Sequence, residues 1–151
     1  MIGRRNRLPI IKSKRDYIKG DDYVYQIDMA KGAKKIIEVC ACAKRGEKVL
    51  IVTDTGRSLT IAEALAVAVK NVEAELAIII TSPGKKPGEE LTDIVAAAMS
   101  EADLIIAPTT RSIYHTNAAM RATEKGARLI ALTEITEEGF KSGGIEADFR
   151  G

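Results

Sequence analysis

The chain has 151 residues, with 23 Lys or Arg against 21 Asp or Glu for a formal charge of +2, and it is 46% hydrophobic but only 4% aromatic with no Trp. That length supports one domain burying roughly 70% of its unfolded surface, with a core of Ala, Val, Ile and Leu, the diet of helices packed on a parallel sheet. No apolar run approaches the roughly 20 residues of a bilayer span and no secretory signal precedes the domain, so membrane residence is excluded and the cytoplasm expected.

Residues 1–28 read as a basic, partly flexible leader, and 29–151 as a single α/β domain. Residues 1–19 hold seven Lys or Arg against Asp16 alone, so this stretch carries +6 and residues 20–151 carry −4. Such a tail can touch phosphates, but no reading motif accompanies it, and nucleic acid is not an expected partner. Beyond "GDDYVYQID", Asp28 is expected to cap a helix whose apolar positions Ala33, Ile36, Ile37, Cys40 and Ala43 recur at spacings of three and four. Gly46 in "KRGEK" suits its C′ position. Cys40 and Cys42 would project about 200° apart on that helix, which disfavours a shared metal or a mutual disulfide and leaves them as small buried hydrophobes.

A unit then repeats. "KVLIVTD", "AELAIIITS", "ADLIIAPTT" and "ARLIALTEI" are short apolar runs bounded by polar residues, and each of the first three is followed by a helical pattern. Their spacing of about 25 to 28 residues is that of one βα unit. Runs without alternation imply strands buried on both faces, hence an open, mostly parallel sheet of four to five strands with helices on both sides, in a Rossmann-like or flavodoxin-like three-layer arrangement. Right-handed crossovers put all four strand-to-helix loops on one edge, where ligands sit near the reversal of strand order. Those loops are 53–58, 81–90, 108–116 and 133–138.

Three of them carry candidate chemistry. "TDTGRS" sets Asp54, Thr55, Arg57 and Ser58 around Gly56 at a helix N-terminus, an arrangement that can meet an anion or equally make a tight turn capped by Ser58. It matches no dinucleotide or triphosphate fingerprint. "PGKKPGEE" is a stiffened exposed loop that could serve as a lid. "PTTRSIYHT" gathers Thr109, Thr110, Arg111, Ser112 and Tyr114 around His115, the single histidine. With Ser112 or Thr110 as cap of a helix running to about Lys125, His115 falls in the opening turn, where the dipole favours a neutral ring able to act as a base or as a structural hydrogen-bond partner.

Two blocks, "AKKIIEVCACAKRGEKVLIVTDTGRSLTIAEALAVA" and "APTTRSIYHTNAAMRATEKGARLIALTEITEEGF", resemble the N-terminal domain of the aminopeptidase T (leucyl aminopeptidase) and 2,5-dihydroxypyridine 5,6-dioxygenase superfamily. The likeness runs from about Met29, which looks like the usual start, to Asp148. It implies a metal-dependent aminopeptidase or dioxygenase acting on a peptide or small molecule, a homo-oligomer, and a divalent metal whose ligands belong to a second, C-terminal domain. The chain ends at "IEADFRG", around where the family continues, so these residues are expected to hold no metal or other cofactor. In the dioxygenase branch a histidine of this domain is implicated as acid or base, and His115 stands at the matching position. The resemblance thus implies an α/β domain that shapes a substrate cleft and subunit contacts and is inactive alone as a peptidase. The residues themselves leave open a stand-alone module that binds a small anion or another protein.

Overall fold

Four strands form an all-parallel sheet in the order β2-β1-β3-β4, with helices on both faces, in the computed structural model, which describes residues 20–141 and their side chains from Ile27 onward. The strands are β1 (Lys48–Asp54), β2 (Glu75–Thr81), β3 (Leu104–Ala107) and β4 (Arg128–Ala131). The helices are α1 (Gly20–Lys34), α2 (Leu59–Asn71), α3 (Asp93–Glu101), α4 (Asn117–Glu124) and α5 (Glu137–Lys141). Lys48 of β1 stands opposite Glu75 of β2, and Val49 opposite Leu104 of β3; Leu104 in turn stands opposite Arg128 of β4. The three-layer α/β architecture expected of the repeated units is present.

The alternation of side chains along β1 and β3 builds two cores. Val49, Ile51, Leu104 and Ile106 pack with Met29 and Ala33 of α1, Leu65 and Val69 of α2, and Phe140 of α5. Leu50, Val52, Ile105 and Ala107 pack on the other face with Val95 and Met99 of α3 and the alanines of α4. Val49 to Val52 of β1 and all four residues of β3 are apolar and buried because both faces are covered. The two outer strands are not: β2 leaves Ile78 42% and Ile80 52% exposed, and β4 is half-buried to exposed throughout. The expectation that all four strands are buried on both faces therefore holds only for β1 and β3, because an edge strand has a neighbour on one side alone.

The first helix departs most from expectation. Residues 1–19 of the leader lie outside the described residues, but 20–28 are helical, and Asp28 sits inside α1 rather than capping it. At Lys35 the helix widens into a π segment (Lys35–Cys40) that ends with Ala41 N–H donating to Ile36 O at 2.8 Å. A π turn winds fewer degrees per residue than an α turn. The core-facing position therefore arrives one residue late: Ala41 is buried and Cys40 is exposed. Cys42 is exposed as well, which corrects the reading of both thiols as buried. It takes the left-handed position after the helix, at φ 47°, and Gly46 at φ 79° serves the turn into β1 instead.

The later helix ends follow their sequence signals. Ser58 caps α2, with its hydroxyl accepting from Thr60 N–H at 3.4 Å. Gly126 at φ 105° closes α4, a backbone shape that glycine adopts without strain.

Candidate functional site: the crevice between the first and third strands

The chain leaves β1 for β2 on one side and returns across it to β3 on the other, so strand order reverses between β1 and β3. Their carboxyl ends separate the two following loops, and a crevice opens there. Asp54, the last residue of β1, is 2% exposed. One carboxylate oxygen accepts from Gly56 N–H at 3.0 Å and from the Thr110 hydroxyl at 2.6 Å, and the other accepts from Thr110 N–H at 2.7 Å. A buried carboxylate needs such donors in place of water. Asp54 thus clamps the loop after β1 to the loop after β3.

Secondary ties run beside it. The Thr53 hydroxyl donates to Pro108 O at 3.0 Å, and Arg57 Nε to Thr109 O at 3.3 Å. The Thr109 hydroxyl, buried, donates to Arg111 O at 2.7 Å and shapes the start of its loop. Gly56 is needed for close approach: a Cβ there would lie 2.5 Å from the Thr110 hydroxyl oxygen. Asp54, Arg57, Thr109 and Thr110 are therefore brought together across 56 positions of sequence.

The remaining candidate residues fall on either side. Thr55 is exposed on the rim, its N–H bonded to Thr81 O at 3.0 Å. Arg57 and Ser58 line a groove of about 390 Å³ with Gly56, Ile61, Ile135, Thr136, Glu137 and Glu138. Tyr114 and His115 border a separate depression of about 330 Å³ with Thr116, Met120, Thr123 and Leu129. Their rings meet edge to face at 5.2 Å and 84°. Arg111 is exposed, and Ser112 O accepts from Gly88 N–H at 2.9 Å, which fastens the loop 82–90 against this segment.

His115 is not in the opening turn of a helix. The cap of α4 is Thr116, whose hydroxyl accepts from Ala119 N–H at 3.1 Å, and the helix begins at Asn117. Neither Ser112 nor Thr110 caps it, because Thr110 is held by Asp54, and the Ser112 hydroxyl accepts from Tyr114 N–H at 3.3 Å. His115 precedes the cap of α4 and lies outside its first turn.

The groove also contains residues that reading by motif did not single out. Glu137 reaches the N-terminus of α2 and accepts a short hydrogen bond from the Thr60 hydroxyl, which is 2.7 Å from that of Ser58. These hydroxyls, Ser58 first and then Thr60, hold the Glu137 carboxyl below the ordinary glutamate value, against the opposing effect of burial and with help from Lys141. A carboxylate with a lowered folded-state pKa stabilises the fold above its unfolded pKa, and that stability is lost as pH falls through the folded value. Thermal melts of the wild type and Glu137→Gln should therefore differ near neutral pH and converge as pH drops below about 4.5. Equal melts at neutral pH would remove Glu137 from the account.

Among the described residues no group of three or more His, Cys, Asp or Glu side chains is placed to hold a metal ion. The donors among the described residues do not match the set that a divalent metal of the kind the resemblance implies would need.

With the geometry in place, comparison with solved structures adds one relation. The chain superposes on 2,5-dihydroxypyridine dioxygenase from Pseudomonas putida KT2440 with a TM-score of 0.59 at 12% identity, covering 73% of this chain and 35% of that one. Looser overlaps occur with AmpT from Thermus thermophilus (TM-score 0.47, 14% identity, 81% of this chain and 42% of that one) and with cysteine desulfurase from Thermococcus onnurineus NA1 (0.40, 13%, 68% and 26%). No family model and no curated protein matches the sequence. The chain is a distant fold relative of the dioxygenase and spans about a third of its length. At that identity the likeness is one of fold alone. Among the described residues no helix is long and apolar enough to cross a membrane.

Proposed function

We propose that the chain is the substrate-binding α/β domain of a larger enzyme of the aminopeptidase T and dihydroxypyridine dioxygenase type, taking a small zwitterion such as an amino acid or a peptide end. The observation that carries this reading is the groove beside the clamp, where one guanidinium, two carboxylates and two isoleucines share a wall: Arg57, Glu137, Glu138, Ile61 and Ile135. Arg57 commits its Nε to Thr109 O, and its terminal nitrogens suit a ligand carboxylate. Glu138, whose exposed carboxylate lies 3.7 Å from Lys141 Nζ, would exchange that ion pair for a ligand ammonium, and the isoleucines suit an aliphatic side chain. His115 meets the far end of a longer substrate as contact, acid or base. The metal and the hydrolytic or oxidative step belong to residues outside this chain.

Calorimetric titration tests this. Leucine should bind, and leucinamide and isocaproate, each lacking one of the two charges, should bind roughly tenfold more weakly. Arg57→Ala should abolish the difference between leucine and leucinamide. Phosphate binding as well as leucine would instead support the stand-alone anion module. Cobalt- or zinc-stimulated hydrolysis of leucyl amides by the purified chain would contradict the assignment of the chemistry to a separate part.

A further inference from the structure

We propose that β2 is the contact surface for a second copy of this chain, pairing antiparallel across a two-fold axis at Ile78 to join two sheets into one. Among the described residues β2 pairs only with β1 and leaves its other side open. Glu75 N–H donates to Glu47 O at 2.9 Å, and Thr81 O accepts from Thr55 N–H at 3.0 Å, so the odd-numbered residues of β2 turn their backbone groups toward β1. Alternation then points the N–H and C=O groups of Leu76, Ile78 and Ile80 outward.

Sheet edges are ordinarily blunted by charge, proline, a bulge or shortness. Past Glu75, β2 has none of these. Its register with β1 is unbroken over all seven residues, and past Glu75 the strand is "LAIIIT", with no charge and no Pro. The opposite edge differs: β4 has four residues and begins with Arg128, bonded to Glu47 and to Ala41 O.

A two-fold axis at Ile78 makes the open side complementary to itself. Ile78 faces Ile78 of the second copy and Leu76 faces Ile80, both as hydrogen-bonded pairs with their side chains on one face. Leu76 already packs on the core shared with α2. The half-exposed Ile78 and Ile80 would extend that apolar surface across the axis.

Charge selects the same arrangement. Antiparallel pairing lays Glu75 of each copy beside the loop that follows Thr81 in the other, which carries Lys85 and Lys86. All three side chains are exposed, and none is in an ion pair among the described residues. The carboxylates of that loop are engaged at home: Glu89 accepts from Lys85 N–H, and Glu90 from Asn117 N–H at 2.7 Å.

Light scattering on the full chain, with hydrogen exchange of β2, tests the proposal. The expected result is twice the single-chain mass at tens of micromolar, with slow exchange at Leu76, Ile78 and Ile80. Ile80→Lys should give single-chain mass with an unchanged circular dichroism spectrum. The loop variant Lys85→Glu/Lys86→Glu leaves the strand intact, so loss of folding does not confuse its reading. It should raise the dimer dissociation constant roughly tenfold, and adding Glu75→Lys should restore it. Single-chain mass for the wild type, including the case in which another segment of the same chain protects β2, overturns the proposal. So does a double mass that none of these variants alters.

Discussion

Asp54→Ala should lower stability by about 2–4 kcal/mol, the loss expected when a buried carboxylate that accepts from three part-buried donors is removed. Thermal unfolding would report a fall of roughly 5–15 °C for a domain of this size. Asp54 is 2% exposed and accepts all three of these hydrogen bonds. Asp54→Asn separates the contributions. It keeps the shape but turns an NH2 group toward at least one of the N–H or O–H donors that the carboxylate accepts, so two donors confront each other. Its cost should stay within about 1 kcal/mol of the alanine variant. If asparagine were tolerated as well as aspartate, the clamp would not depend on the carboxylate.

Gly56→Ala tests the same junction by steric means. The added Cβ would lie 2.5 Å from the Thr110 hydroxyl oxygen and 3.1 Å from the Asp54 oxygen that accepts from it. One of the two must shift, and the hydrogen bond between them is lost or bent. The expected cost is about 2 kcal/mol. The diagnostic is non-additivity. In a Thr110→Ala background the obstructing oxygen is gone, so Gly56→Ala should cost less, with a coupling of about 1–2 kcal/mol in denaturant melts. Additive effects would mean that Gly56 serves its turn alone and does not depend on the loop after β3. Gly56 is not among the glycines with positive φ, so the effect tests contact rather than backbone strain.

These predictions concern a pairing that no local pattern reveals. The polar edge itself was legible, because apolar runs at regular spacing force βα units and right-handed crossovers place the loops together. That Asp54 spends its oxygens on Thr110 was not, because contact across 56 positions depends on which strands become neighbours. The same limit applies to Glu137. It lies in a loop assigned to the correct edge, yet its approach to Ser58 and Thr60 follows from α5, a five-residue helix with too few turns to show a periodicity. Helix boundaries failed for local reasons. The hydroxyl-rich run 109–116 offers several possible caps, and tertiary bonds consume Thr110 and Ser112 before Thr116 takes the role. In the first helix, periodicity placed Ile36 and Ile37 in the core but could not anticipate the π turn that exchanges Cys40 for Ala41.

The central claim is that the carboxyl edge at β1 and β3, with its flanking groove, is where a small zwitterion binds. Amide NMR of the purified chain titrated with leucine addresses it most directly. The account predicts saturable shifts concentrated at Thr55 to Ser58, at Thr110 and Arg111, and at Thr136 to Glu138, all absent in Arg57→Ala. Shifts confined to the opposite edge, at the depression formed by Lys48, Glu75 and Glu101, or no saturable shift at any site, would contradict it.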